Sequence, residues 1–290
     1  MLDHDGTLTI IKGYASELAQ EMSVDFPWLG GATNVKVQVE QGMSKLRADP
    51  ERTVSLVPGA PASGRAGADS LLAAQVAAQD ILRADVRATH SLRERYPHVT
   101  CPVTAYTTEM HHKHKSAAAE YRVGTESYVR QLMEEGATAY VVTNSGPEEI
   151  SRALLSWKDR EAGSWLASRV RGGAKKFVVE PGSETLRLPG LCRAVSAVRP
   201  HYEAILCDIM REEGAAPRDV TVVGDILEFD LLVPLRLGMR VVLVGETALD
   251  YERAFVASCP GGVVRATPWA HVPCPFAAPP DVGSPFERLA

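Results

Sequence analysis

The chain has 290 residues and a mass of 31.3 kDa, room for one large domain or two smaller ones. Its 45% hydrophobic and 23% charged residues exclude disorder as the main state. A net charge of -5 argues against nucleic acid as a partner, no apolar run approaches the ~18–20 residues of a membrane span, and the acidic start Met1-Leu2-Asp3-His4-Asp5 has no export-signal pattern.

Only Met1 and Leu2 precede the first acidic turn, whereas a core strand typically runs about 5–6 residues. The expectation is therefore a native start further upstream, with an apolar run before Asp3. Ser16 to Met22 reads as a helix. Residues 33–40 are ambiguous, because Val35, Val37 and Val39 alternate like a strand between helical neighbours. Residues 53–68, rich in Gly, Pro and Ala, read as a loop. Asp69 is a helix N-cap candidate for a helix running to Arg95, with Leu71, Leu72, Val76, Leu82 and Val86 on one broad face. The block from about Lys12 to Lys115 is expected to be a mainly helical insertion.

Beyond it the pattern becomes α/β. Ala139 to Val142 is a strand candidate ending in Thr143-Asn144-Ser145-Gly146-Pro147, where Ser145 or Gly146 can cap a helix over 148–157. Phe177-Val178-Val179 is a second strand candidate. His201 to Glu213 reads as a helix that Gly214 stops. Val220 to Val223 and Val241 to Val244 are further strand candidates. Short apolar strands alternating with helices predict a parallel sheet covered on both faces, a doubly wound α/β core. The Pro-rich segment after Cys259 is expected to be an irregular or disordered tail. The five cysteines form no C-x-x-C pair and read as reduced thiols of a cytoplasmic protein.

Three signals lie at strand ends, where ligands bind in open parallel sheets. They are Asp3-His4-Asp5-Gly6-Thr7, Thr143-Asn144-Ser145, and Gly224-Asp225 followed by Asp230. Together they resemble the motifs of the haloacid dehalogenase-like (HAD) hydrolase superfamily. Asp3, Asp5 and Thr7 match its Asp-x-Asp-x-Thr motif, Thr143 its second motif, and Gly224, Asp225 and Asp230 its fourth. Arg199, followed by Pro200, stands where the third-motif cation is expected, with Lys176 in reserve.

The resemblance implies a Rossmann-like core over 1–12 and 118–258, a helical C1-type cap over 13–117, and a tail over 259–290. It implies an Mg²⁺-dependent hydrolase of a small-molecule phosphate monoester. In that scheme Asp3 is the nucleophile that becomes an aspartyl-phosphate, and Asp5 is the acid and base. Asp3, the Asp5 carbonyl and Asp225 bind the metal, while Asp230 acts mainly through water. Thr143 and Asn144 hold phosphate oxygens, and Arg199 stabilises the transferring group. Asp5 favours phosphoryl transfer, since a halide leaving group needs no proton. A phosphomutase and a non-catalytic phosphate-binding or scaffold member remain the alternatives. The run His111-His112-Lys113-His114-Lys115 reads as a solvated basic segment, a metal site, or an attractor of anions.

Overall fold

The computed structural model describes residues 1–54, 64–182, 185–244 and 248–265. The chain divides into two compact units. One holds Met1–Ile10, Ala60–Gly64 and Tyr121–Ala290; the other holds Ile11–Gly59 and Arg65–Glu120.

The second unit is entered through β1 (Thr9–Ile11) and is mainly helical: α1 (Tyr14–Asp25), α2 (Ala32–Ala48), β2 (Thr53–Val54), β3 (Gly64–Arg65), α3 (Ser70–Ala84), α4 (Val86–Arg95), α5 (Pro102–Ala118) and β4 (Ala119–Tyr121), where the chain leaves it. Helical spacing settles the ambiguous stretch 33–40. Val35, Val39, Met43 and Leu46 of α2 are buried on one face, while Val37 is 44% exposed. The long helix expected over 69–95 is two helices. The Asp69 carboxylate accepts the Leu72 N–H at 2.7 Å and starts α3, and Asp85 accepts the Ala88 N–H at 2.9 Å and restarts the chain as α4. A second N-cap inside an apolar stripe breaks a helix because its side chain competes for backbone N–H groups. The loop expected over 53–68 holds the short strands β2 and β3, and its residues 55–63 lie outside the described ones.

The first unit continues with α6 (Thr125–Glu134), β5 (Val141–Val142), α7 (Pro147–Leu155), α8 (Arg160–Ala167), β6 (Val170–Arg171), β7 (Thr185–Arg187), β8 (Ala194–Ser196), α9 (Pro200–Glu213), β9 (Thr221–Gly224), α10 (Leu232–Arg236), β10 (Arg240–Val244), α11 (Asp250–Ser258) and β11 (Gly262–Arg265). β5 pairs in parallel with β6, and β10 pairs in parallel with both β9 and β11. Leu2 joins the two ladders, bridging Val141 on one side and Val223 on the other, both in parallel. The Leu2 N–H donates to the Tyr140 carbonyl at 2.8 Å and the Asp3 N–H to the Val223 carbonyl at 2.9 Å.

Strand side chains alternate between two apolar clusters, as a pleated strand requires. Val142, Val222, Val241 and Leu243 pack with Tyr202, Leu206 and Ile209 of α9 and with Phe255 and Val256 of α11. Leu2, Val141, Val223, Val242 and Val244 pack with Val129 and Leu132 of α6, Ile150 and Leu154 of α7, and Leu166 of α8. Deleting a large side chain from either layer typically costs about 2–5 kcal/mol.

Two expectations are corrected here. Phe177-Val178-Val179 is not a strand: the segment turns, with the Val178 N–H donating to the Lys175 carbonyl at 2.9 Å. The Lys176 N–H goes to the Asn144 side chain rather than to a neighbouring strand. The tail expected from 259 begins as the paired strand β11, because Val263 and Val264 complete the ladder beside β10, and 266–290 lie outside the described residues. The antiparallel hairpin of β7 and β8 is an addition to the expected elements. The Met1 amino group is buried and donates to the Thr221 carbonyl at 2.7 Å; burial pushes its pKa down to about 5. Among the described residues, no helix is long and apolar enough to cross a membrane, and Cys101, Cys192, Cys207 and Cys259 form no disulfide.

Candidate active site

The site lies where the strands of the first unit end. The chain leaves Leu2 extended at Asp3 and folds into a tight turn over His4–Leu8, reversing at Gly6 with φ of 85°. That turn needs glycine twice over. The backbone conformation disfavours any Cβ, and a Cβ built at Gly6 would stand 2.1 Å from an Asp225 carboxylate oxygen. Thr7 closes the same contact, its hydroxyl donating to Asp225 Oδ1 at 2.9 Å. Gly6→Ala is accordingly expected to lower stability by about 2 kcal/mol or more and to displace Asp225. Thermal melting and turnover measured on one preparation check this; an unchanged pair of values would contradict the geometry.

Asp3, Asp225 and Asp230 are all buried, and each can present an oxygen within 4.8 Å of the others. Among the described residues this is the group of acid, imidazole or thiol side chains that can converge on one ion. Lys176 is inserted against it. Its ammonium donates to Asp3 Oδ1 at 2.6 Å and to Asp230 Oδ1 at 2.9 Å, and it lies 5.1 Å from the centre of the Tyr202 ring. Burial pulls the pKa of this lysine down, but Asp230 and Asp3 hold it well above the ordinary value. Burial also pushes the Asp3 carboxyl up to about 7, against the pull of Lys176 and with added repulsion from Asp230 and Asp5. One ammonium facing three buried carboxylates leaves excess negative charge, and an all-oxygen donor set of this kind fits a hard divalent cation.

Of the two cations considered from sequence, the reserve is the one that touches the nucleophile candidate. Arg199 is fully buried behind it, its Nη1 donating to the Lys176 carbonyl at 2.5 Å and its guanidinium 5.3 Å from the Phe229 ring centre. Burial lowers its pKa to about 10, with Glu228 and Asp230 opposing, so it stays charged at neutral pH. Arg199 therefore supports the backbone that carries Lys176. The physical reason is reach: Arg199 caps α9, whereas the turn at Lys175, with φ of 47°, delivers Lys176 to the strand ends.

Thr143 is fully buried and its hydroxyl oxygen accepts the Ser145 N–H at 3.1 Å, which leaves its own O–H to donate. The exposed Asn144 uses Oδ1 to accept the Lys176 N–H at 2.7 Å, leaving its NH₂ to donate. Ser145 does not cap α7. Gly146 occupies that position, and the Ser145 hydroxyl donates to Asp5 Oδ2 at 2.7 Å. Asp230 has both oxygens engaged, Oδ1 with Lys176 and Oδ2 with the Ile226 N–H at 3.0 Å. Three more side chains belong to the site: His4 and Ser145, which lie inside the motif segments and carried no expected catalytic role, and Tyr202, whose ring faces Lys176.

The histidine run lies on α5 in the second unit. His114 approaches Glu21 at 3.4 Å and Glu17 at 3.9 Å, Lys113 pairs with Glu21 at 2.5 Å, and the His111 ring stands edge-on to Tyr14 at 5.8 Å. These are contacts between α1 and α5, so a charged helix seam describes the run better than a metal site does.

No family model matches the chain, and no curated protein matches its sequence. Solved structures do match. They include haloacid dehalogenase-like hydrolases and phosphatases. A haloacid dehalogenase-like family hydrolase from Xanthomonas campestris is 9% identical, with a TM-score of 0.44 over 94% of this chain and 86% of that one. A predicted phosphoglycolate phosphatase from Haemophilus somnus is 13% identical, with a TM-score of 0.41 over 84% and 83%. A phosphoserine phosphatase, solved as an analogue of its phospho-aspartyl intermediate, is 12% identical, with a TM-score of 0.37 over 84% of each chain.

Proposed function

We propose that the chain is a phosphatase of the HAD type, acting on a small-molecule phosphate monoester through an aspartyl-phosphate at Asp3. The observation that carries the reading is the Lys176 ammonium 2.6 Å from Asp3 inside the buried Asp3, Asp225 and Asp230 group. A nucleophilic carboxylate, a fixed cation and a second acid two residues on are the parts that phosphoryl transfer needs. The parallel ladders joined through Leu2, with apolar clusters on both faces, support a doubly wound core. The helical insertion between Asp3 and Thr143 is the natural place for a cap that chooses the leaving group.

Asp3 attacks phosphorus with one oxygen while Lys176 holds the other. The leaving oxygen takes a proton from Asp5. A water then attacks the aspartyl-phosphate and gives its proton to Asp5, which restores the acid and frees Asp3; such acid–base help is worth about 10²–10⁴-fold. The Thr143 hydroxyl and the Asn144 amide donate to phosphate oxygens. Asp3, Asp225 and the Asp5 carbonyl would hold an Mg²⁺ ion, whose charge offsets the repulsion between Asp3 and the phosphate dianion. Asp230, with both oxygens engaged by Lys176 and Ile226, supports this arrangement from outside. The net negative charge of the chain and its scattered free thiols fit a cytoplasmic setting with neither nucleic acid nor membrane as partner.

A panel of phosphate esters assayed with Mg²⁺, with and without chelator, tests the reading. Turnover that disappears on chelation and returns with Mg²⁺ is the expected result. Turnover unaffected by chelator removes the metal from the scheme. Ligand-induced thermal stabilisation with no turnover for any ester removes the enzyme.

A further inference from the structure

The mechanism uses the residues on either side of His4 and leaves His4 itself without a task. Its side chain is nevertheless among the most deeply placed of the turn, at 4% exposure. Nδ1 lies 3.0 Å from Asp5 Oδ1, and Nε2 lies 3.3 Å from the Tyr121 hydroxyl. Tyr121 is fixed in its turn, edge-on to the His4 ring at 5.7 Å and edge-on to Trp157 at 5.0 Å. Ser145 grips the other Asp5 oxygen from the opposite side. Each oxygen of the Asp5 carboxyl thus has its own partner, and the two partners come from segments about 140 residues apart.

A neutral imidazole has one donor and one acceptor nitrogen. In the tautomer that donates from Nδ1 to Asp5 Oδ1, Nε2 is left to accept the Tyr121 hydroxyl. Burial keeps that phenol protonated, with its pKa pushed up to about 12, so the donor behind His4 is present at neutral pH. The result is a braced carboxyl, with an aromatic wall of Tyr121 and Trp157 behind the brace. An acid that must meet a leaving oxygen within hydrogen-bond reach loses rate steeply when it can swing away.

We propose that His4, backed by Tyr121, is a positioning residue that aims the Asp5 carboxyl at the leaving-group oxygen, an inference that rests on the phosphatase reading above. It touches neither phosphorus nor the nucleophile, so its contribution should depend on how much the leaving group needs a proton. An alkyl phosphate releases a strongly basic alkoxide and needs the acid. p-Nitrophenyl phosphate releases a stable phenolate and barely needs it. The parameter to read is kcat/KM, which reports the steps up to departure of the leaving group.

For His4→Leu, kcat/KM is expected to fall about 30-fold or more on an alkyl phosphate and by less than about 3-fold on p-nitrophenyl phosphate, within the range of acid–base contributions. His4→Asn, whose amide N–H can replace the Nδ1 donor, should recover most of the alkyl loss. Tyr121→Phe, which leaves the Asp5 contact in place, should show the same selectivity at about 3-fold. Equal losses on the two esters in a His4→Leu protein with a wild-type melting profile would overturn the proposal, as would failure of His4→Asn to recover the alkyl rate. If His4→Leu does not fold, the Tyr121→Phe ratio decides alone, and an unselective loss there counts against it. Wild-type protein inactive on every ester of the panel would bring down the phosphatase reading and this inference with it. Wild-type turnover with unselective variants brings down only the inference.

Discussion

Lys176→Met should reduce turnover by about two to three orders of magnitude, the scale of one lost transition-state donor at roughly 3 kcal/mol. The same substitution should cost stability. Its ammonium is 1% exposed and is shared between Asp3 and Asp230, so removing it leaves buried carboxylates without their cation. Breaking such a pair typically costs about 3–5 kcal/mol. Methionine keeps most of the stem volume, which isolates the charge from the packing against Tyr202. Arg199→Met should also destabilise, because the guanidinium is buried beneath the Lys176 carbonyl. Its effect on rate per folded molecule should be much smaller. Rates normalised to folded protein, measured by melting and activity on the same samples, separate the two cations. A greater normalised loss at Arg199 than at Lys176 would return the third-motif role to Arg199.

Asp3→Asn should abolish turnover while the fold persists. The amide keeps the shape and an oxygen that can still accept from Lys176, but it offers no anionic nucleophile. The loss of a covalent nucleophile is on the order of 10⁴–10⁶-fold. Stability should not fall and should rise somewhat, because burial and the repulsion from Asp230 and Asp5 together disfavour the Asp3 carboxylate more than Lys176 favours it. A variant that keeps the wild-type rate on any phosphate ester would rule out Asp3 as nucleophile. A variant that fails to fold would show that the Asp3 charge is a structural requirement.

The carboxylates of the site were legible in the sequence because their positions follow from the strands that carry them. Asp225 ends the apolar run Val220 to Gly224 and Asp3 follows Leu2 directly, and parallel strands bring such ends together whatever their separation along the chain. Lys176 was harder to see, because Phe177-Val178-Val179 has the composition of a strand and its turn is set by tertiary partners. The Asn144 side chain takes the Lys176 N–H, and Gly173, with φ of 64°, bends the chain just before it. The pair Gly172-Gly173 was the local signal for a turn there. The break between α3 and α4 was hidden in a similar way, since Asp85 sits inside a stripe that is otherwise helical on both sides. His4 and Ser145 lie inside the motif segments, but nothing in the pattern showed that both reach Asp5. Their roles depend on side-chain direction at the ends of different segments, which neither periodicity nor spacing encodes.

The crowding of Asp3, Asp225 and Asp230 has a thermodynamic side that does not depend on catalysis. A fold that confines three carboxylates with a single ammonium holds repulsion that the unfolded chain does not have. A divalent cation bound by the folded chain alone adds stability as RT ln(1 + [M]/Kd), about 2.7 kcal/mol when the ion stands a hundredfold above its Kd. Under the proposed reading, the melting temperature is expected to follow divalent-cation concentration as a titration curve. Melts in buffers that differ only in chelator are expected to give two different stabilities, and identical melts would count against a bound cation.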